Sequence, residues 1–590
     1  MASLAVLARG RALSVVELQR RERKGEPGGW PTSVHPVLQQ VYAARGVLDP
    51  TEVEHRLARM LSPQTLGGMA EAVDLLVEAI RGDWSILIAG DYDCDGATGT
   101  AVGVRGLRLL GARNVRYAVP NRFVHGYGLS PALVESLQPT PQLIVTVDNG
   151  VASIAGVAAA KARGIRVIVT DHHLPGDALP AVDAMVNPNL VGDAFPSKAL
   201  AGVGVMFYLL LALRARLYPG APASGENQEV SKRSRPDLSC LLDLVALGTV
   251  ADLVPLDFNN RILVEAGLQR IRTGRACAGI TALIESGKRS LTTLCSSDLG
   301  FVVGPRLNAA GRMEDMALGV ECLLTDDAGE ARQFAEQLNA INLERRELQA
   351  SMVTEADVMV GQITDIQAVG VALFEPSWHA GVIGLVASKL KDRLHRPVIA
   401  FAPASDDHPD ELRGSARSIS GFHIRDALAV IDARQPGLIE RFGGHAMAAG
   451  LSLKRCDYPR FAAAFDAVAR ELIEPERLQA VLYTDGELPP GAASLALARQ
   501  LRHAGPWGQA FPEPLFDNLF DCASWKVMGE RHLRLQLRDP RDDSLHDAVM
   551  FNAYHGQPPP PRLRAVYELG INDWQGRETA RLLLRHIEPA

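Results

Sequence analysis

Carboxylates gather at four points along this chain, each downstream of a short apolar run. Asp91, Asp93 and Asp95 follow Ile86-Leu87-Ile88-Ala89. Asp148 follows Leu143-Ile144-Val145-Thr146-Val147. Asp171-His172-His173 follows Val167-Ile168-Val169-Thr170, and Asp252 comes after Leu244-Val245-Ala246-Leu247. Short runs rich in Val and Ile, separated by helix-length stretches, read as buried strands of a parallel sheet. Such sheets bind ligands beyond the carboxyl ends of their strands. Carboxylates and imidazoles converging there repel one another unless divalent cations neutralise them. The chemistry this implies is two-metal hydrolysis.

The spacing inside each cluster narrows its use. Asp91-Tyr92-Asp93-Cys94-Asp95-Gly96 sets three carboxylates at alternate positions, on one side of an extended segment. Gly96 permits a sharp turn into a helix whose N-terminus attracts anions. A calcium loop shares the D-x-D-x-D-G pattern, but position 102, where its bidentate Glu would stand, is Val. Asp148, in Asp148-Asn149-Gly150, is a functional carboxylate or a helix cap. Asp171-His172-His173 can supply a metal ligand and a second imidazole facing the substrate. Asp252, in Gly248-Thr249-Val250-Ala251-Asp252, says little alone and gains weight from the other three.

Positioning these groups requires alternating strands and helices. Helices are expected over Ala70–Arg81, Ala97–Leu110, Pro131–Leu137, Ile154–Arg163 and Val203–Leu217, giving an α/β doubly wound parallel sheet over residues 50–325. Residues 220–236, rich in Gly, Pro, Ser and charge, read as a surface loop. Residues 326–361 carry almost no helix breakers and read as a long connecting helix, capped by Thr325 or Asp326. A second α/β domain is expected over 362–477, with strands at Val369–Phe374 and Val398–Phe401. Residues 478–590 hold short β-type stretches between Pro, Gly and Asp turns, consistent with a small β-barrel. The first 49 residues form an extension with no assigned role.

The 590 residues exceed what one hydrophobic core supports. A net charge of −7 argues against a strongly basic nucleic-acid coat, without excluding local basic grooves. Seven scattered cysteines, with no C-x-x-C pair, speak against a disulfide framework and fit a reducing cytoplasm. No signal peptide is legible, and the longest apolar run is too short for a membrane span. A monomer is the default expectation.

Taken in order, Asp91–Gly96, Asp148-Asn149-Gly150, Asp171-His172-His173 and Gly248–Asp252 resemble the motifs of the DHH phosphoesterase superfamily. With Gly304–Arg312, Arg413–Phe422 and Gly443-Gly444-His445, they look more closely like its bacterial single-strand-specific exonuclease branch. The resemblance covers residues 50–590. It implies a DHH domain, a DHH-associated domain and a C-terminal OB-type barrel. It also implies 5′→3′ hydrolysis of single-stranded DNA to 5′-mononucleotides, in DNA repair and recombination.

By that resemblance Asp93, Asp95, Asp148, His172 and Asp252 hold two divalent cations, with Asp148 bridging them. Mn²⁺ is preferred in affinity because of the His ligand, and Mg²⁺ is possible. Asp91 binds directly or orients a metal-bound water, and His173 faces the scissile phosphate. Ser415 and Arg417, with Arg122, form a 5′-phosphate pocket, although Arg413–Ser418 could equally be a solvated turn. Arg306, Asn308 and Arg312 resemble phosphate or base contacts. His445 follows two glycines that let backbone approach substrate, or that open a helix. Trp525, Trp574 and Tyr567, with Lys526, Arg531 and Arg534, could stack and track single-stranded DNA, or lie in the barrel core. Cooperation with a helicase and a single-strand-binding protein is implied by the resemblance alone.

Overall fold

A computed structural model describes residues 16–121, 124–219, 235–362, 368–405, 408–554 and 556–590. The chain forms two compact units: residues 20–342 with 484–590, and residues 343–483 with the short stretch before residue 20. Among the described residues no helix is long and apolar enough to cross a membrane.

The first unit is built on five parallel strands: β1 (Ile86–Ala89), β2 (Val115–Ala118), β3 (Leu143–Val147), β4 (Arg166–Thr170) and β5 (Ala184–Val186). Their order is β2-β1-β3-β4-β5. All residues of β1 and β3 are buried, which is why these runs carry no polar alternation. The chain moves outward from β1 to β2, then crosses back to β3 on the other side. The carboxyl ends of β1 and β3 therefore flank a topological switch point, where open α/β sheets bind ligands. The helices Cys94–Leu109, Gly202–Leu217 and Leu242–Ala251 pack around that end.

The last of these corrects an expectation. Leu244–Leu247 is not a strand but the middle of the helix Leu242–Ala251, with Asp252 at its C-cap. Residues Leu242–Thr249 are all buried. A helix apolar on every side shows no 3.6-residue stripe, so a short apolar run within it cannot be told from a buried strand.

Near the end of the first unit the helix Ala328–Gln362 begins, and the boundary between the units falls inside it, after Asn342. The second unit has a mixed sheet of β6 (Val371–Phe374), β7 (Val398–Ser405), β8 (His408–Arg417), β9 (Arg441–Gly444) and β10 (Ala448–Lys454), in the order β9-β10-β8-β7-β6. Only β6 and β7 run parallel. Phe401, Phe461 and Phe465 fill its core. Arg413–Arg417 thus lies within the central strand β8, not in a turn. Its inward positions Leu412 and Ala416 are buried in that core.

The barrel consists of β11 (Phe516–Met528), β12 (His532–Arg538), β13 (Leu545–Met550), β14 (Arg562–Trp574) and β15 (Arg577–Pro589). It closes in the order β11-β12-β13-β15-β14, the parallel β13–β15 pairing removing the free edges. Phe516, Phe520 and Tyr567 fill its interior. Tyr567 is therefore a core residue, its hydroxyl bonded to Asn518, and not a base-stacking one. Trp525 and Trp574 are exposed.

The barrel packs into the same unit as the parallel sheet, and residues 20–60 help fasten it there. Trp30 stacks on Tyr42, and Tyr42 meets Trp507 and Phe511. The Tyr42 hydroxyl donates to the Ala504 carbonyl. Arg45 and Asp485 form an ion pair at 2.6 Å whose side chains are each only 2% exposed. Arg45 also donates to the Val41 and Pro512 carbonyls, so the buried charges are well satisfied.

Candidate metal centre

Each acidic motif is placed by a local backbone device. Asp93 caps the helix Cys94–Leu109, its carboxylate accepting the Gly96 amide at 3.0 Å. Asp95, one turn in, accepts the Gly202 and Val203 amides at 2.6 and 2.9 Å and so caps the helix Gly202–Leu217. Asp148 extends β3 by donating its amide to the Thr170 carbonyl, then turns left-handed at φ 61°. Asp tolerates that conformation better than a branched residue would. Gly202 lies directly behind it: a Cβ there would come within 2.7 Å of the Asp148 Cα. The β3 turn and the second capped helix therefore meet only because residue 202 has no side chain.

These devices bring the first three clusters and Asp252 together. Ligand atoms of Asp91, Asp93 and Asp148 lie within 4.8 Å of one another, as do those of Asp95, His172 and Asp252, and those of Asp148, His172 and His173. His172 Nε2 lies 3.0 Å from Asp148 Oδ1, 3.5 Å from Asp252 Oδ2 and 4.0 Å from Asp95 Oδ2. Asp91, Asp95 and Asp148 are almost wholly buried. Burial, and then the neighbouring carboxylates, push the acids of Asp148 and Asp252 well above the ordinary range and that of Asp95 to about 7. Asp148 Oδ1 is a buried acceptor with no hydrogen-bond donor among the described residues. Oxygen-rich groups with one imidazole and an unsatisfied buried carboxylate fit divalent cations.

A supporting set of residues escaped the sequence reading. Asp171 does not face the cluster. Its Oδ1 accepts the His172 and His173 amides and lies 2.8 Å from His173 Nδ1, while Oδ2 accepts the Val151 amide. Burial opposes ionisation of Asp171, but His173 and these amides hold its carboxyl below the usual value. Burial likewise opposes a charged His173, but Asp171 and the surrounding acids push its imidazole up to about 9. Asn187 and Asn189 donate to the His173 and His172 carbonyls. Asn149 ties β3 to β1 through the Ala89 carbonyl. The signal for the asparagine pair was present: Asn187-Pro188-Asn189 directly follows the strand β5.

The expected substrate residues divide. Arg122 lies outside the described residues. Asn308 accepts the Cys94 amide at 2.8 Å, and so positions the first motif instead of presenting that oxygen to substrate. Arg306 donates to the Val302 carbonyl and to Asn339 on the long helix. It braces the helix Gly304–Met313, in whose last turn Arg312 stands half-buried. In the second unit, Ser415 and Arg417 lie together on β8, Arg417 Nη1 donating to Ser415 Oγ at 3.1 Å. They face the N-terminal turn of the helix Ile383–Leu394: a Cβ on Gly384 would come within 2.8 Å of both side chains. Burial lowers the Arg417 pKa from its ordinary value, and Arg remains charged. Gly384 was not singled out from the sequence. His445 is exposed in the turn joining β9 to β10, its amide donating to the Ala448 carbonyl; the two glycines before it end a strand and do not open a helix.

Comparison with known proteins now gives the class. The description "DHH family, N-terminal domain" matches residues 85–249, "DHHA1 domain" matches residues 365–473, and "RecJ OB domain" matches residues 484–586. Fold and site together define a DHH-family protein with a DHHA1 unit and an OB barrel. The chain is 48% identical to the single-stranded-DNA-specific exonuclease RecJ of Dickeya dadantii, over 97% of this chain and all of that one. It is 47% identical to the RecJ of Escherichia coli, over 97% and 99% of the two chains. The chain belongs to the RecJ family of single-stranded-DNA-specific exonucleases. The crystal structure of RecJ from Thermus thermophilus in complex with Mn²⁺ superposes with a TM-score of 0.78 at 30% identity, covering 98% of this chain and 80% of that one. The resemblance read from the motifs therefore holds over nearly the whole sequence.

Proposed function

We infer that this protein is a metal-dependent exonuclease that hydrolyses single-stranded DNA from its 5′ end to 5′-mononucleotides. The observation that carries this reading is two neighbouring ligand groups at the switch point, Asp91 with Asp93 and Asp148, and Asp95 with His172 and Asp252, with His172 Nε2 only 3.0 Å from the buried Asp148 Oδ1. Asp91, Asp93 and Asp148 would hold one divalent cation, and Asp95, His172 and Asp252 the other. Asp148 belongs between them, and Asp91 joins as a ligand in its own right. Relatives in this family are named for the same activity, and the Thermus thermophilus structures contain Mn²⁺ or Mg²⁺. The imidazole among the oxygens favours Mn²⁺ in affinity. When bound, such cations lower the pKa of a water and stabilise the leaving oxygen.

The residues around them do the rest. His173, held by Asp171, donates a hydrogen bond to a scissile phosphate oxygen. Ser415, Arg417 and the amides beside Gly384 accept the 5′-phosphate, since a guanidinium, a hydroxyl and a helix N-terminus all favour a phosphate. Holding that end gives the reaction its polarity. Exposed Trp525 and Trp574 offer faces on which unpaired bases stack. Action in DNA repair and recombination, a cytoplasmic setting, and cooperation with a helicase and a single-strand-binding protein complete the proposal, with the enzyme a monomer.

The test is digestion of a 5′-phosphorylated single-stranded oligonucleotide with Mn²⁺. Mononucleotides should appear progressively from the 5′ end, and disappear with Asp148→Ala. Blunt duplex should resist while a 5′ overhang is trimmed. Cleavage of small dinucleotides in place of the oligonucleotide would reject the reading.

A further inference from the structure

Tyr127 belongs to none of the four acidic motifs, yet it touches two of them. Its hydroxyl lies 3.5 Å from the main-chain oxygen of Asp148 and 3.5 Å from His173 Nε2. Its ring meets His173 edge-on at a centroid separation of 6.2 Å and Tyr92 edge-on at 5.9 Å. On the opposite side of the imidazole, His173 Nδ1 lies 2.8 Å from Asp171 Oδ1. The tyrosine hydroxyl stands between the Asp148 carbonyl and His173 Nε2, while Nδ1 on the far side of the ring stands against Asp171. The ring is gripped at both nitrogens by groups of unequal strength. The Asp171 contact is short and charge-assisted, and permanent. The Tyr127 contact is long and weak, of the kind a substrate oxygen displaces. Tyr127 is 49% exposed, so the contact sits at the mouth of the cluster and not behind it.

We propose that Tyr127 is a positioning residue of the reaction, whose hydroxyl holds His173 Nε2 in the direction from which it meets the scissile phosphate, until a phosphate oxygen takes the place of that hydroxyl. This rests on His173 facing the phosphate, as proposed above. Tyr127 also joins the Asp148 backbone to the His173 ring, so ligand and phosphate donor keep one register.

Tyr127→Phe keeps the ring and removes the oxygen. With Mn²⁺ and a 5′-phosphorylated single-stranded oligonucleotide, kcat should fall about tenfold, as for other groups that orient a reacting residue through a hydrogen bond. KM and the thermal midpoint should stay at wild-type values. In a His173→Ala background, measured as residual single-turnover cleavage, the same change should cost nothing further, because its effect passes through His173. An unchanged kcat in Tyr127→Phe, or losses that multiply in the double variant, would overturn the proposal. Full activity of His173→Ala alone would instead overturn the role given to His173. A readout without turnover uses the full chain with ¹⁵N-labelled histidine. The His173 Nε2 resonance, assigned by its absence from His173→Ala, should shift between the wild type and Tyr127→Phe. An unshifted resonance in Tyr127→Phe would refute the contact even where residual cleavage is too slow to measure.

Discussion

Asp171 spends both its oxygens on its own neighbourhood, accepting three backbone amides and orienting His173. It shapes the centre without facing it. Asp171→Asn should therefore lower kcat about 10- to 100-fold while leaving bound metal content near wild type, whereas Asp148→Ala should lose both. Titration calorimetry with Mn²⁺ separates the two. The raised carboxyls of Asp95, Asp148 and Asp252 carry a second expectation. In the folded, cation-free protein Asp95 keeps its proton up to about pH 7, while in the unfolded chain it releases it near the ordinary carboxylate value. The fold binds more protons than the unfolded chain in that window, so cation-free stability should fall as pH rises from about 4 to 7, and go on falling above it while His173, raised to about 9, keeps a proton that the unfolded chain has lost. Added Mn²⁺ should reverse the trend, releasing protons as it binds and binding more tightly at higher pH. Melting curves at pH 5, 6, 7 and 8 with and without Mn²⁺ check this. Flat cation-free curves would contradict it. The candidate ligands were legible because carboxylates after apolar runs are a pattern in types and spacing. The groups behind them were less so: Tyr127 reaches the centre through the fold and shares no spacing with it, and Asn308 was read as a substrate contact although it accepts the Cys94 amide.

Helices and strands show where sequence patterns stop informing. The parallel strands were readable because full burial leaves unbroken Val and Ile runs. The same burial disguised the helix Leu242–Ala251 as a strand. Conversely, Ser415 and Arg417, expected in a phosphate pocket with a solvated turn as the alternative, occupy alternate positions of β8, which places both on one face. Gly384 completes that face. Gly384→Ala would drive a methyl into Arg417 and Ser415, and should raise KM for 5′-phosphorylated DNA at least several-fold while changing KM for 5′-hydroxyl DNA little. A steady-state comparison of the two substrates decides it; equal effects would place the phosphate elsewhere. The Arg45–Asp485 pair belongs to this scale too, since it joins the end of an early helix to the segment leading into the barrel. Asp485→Ala strands a buried guanidinium and should destabilise the first unit by about 3–5 kcal/mol, measured by denaturant unfolding. Neither residue stood out in the sequence, as each is one charged residue among many.

For the molecule as a whole, the catalytic sheet and the barrel form one compact unit although residues 343–483 separate them in sequence. Nothing in composition announces that return. Pro-rich turns and short strands identified a barrel, but its attachment depends on Trp30, Tyr42, Trp507 and Phe511 meeting from distant segments. Deleting residues 484–590 therefore does more than remove a DNA-binding module. It should bare the aromatic face of residues 30–42 and yield aggregation-prone protein with a lower melting point, seen by light scattering and circular dichroism. A soluble, fully active truncation would show that the barrel is an independent appendage.

The same arrangement bears on how the protein is made. On the ribosome residues 20–342 emerge first and wait, with Trp30, Tyr42 and Arg45 unpartnered by the later segment, while residues 343–483 are synthesised. Those partners arrive only with residues 485–511. At about 5–20 residues per second that interval lasts many seconds, long against the collapse of a chain of this length. A nascent chain with exposed aromatics is a substrate for chaperones, and slow or interrupted translation past residue 483 should cost yield more than activity per molecule.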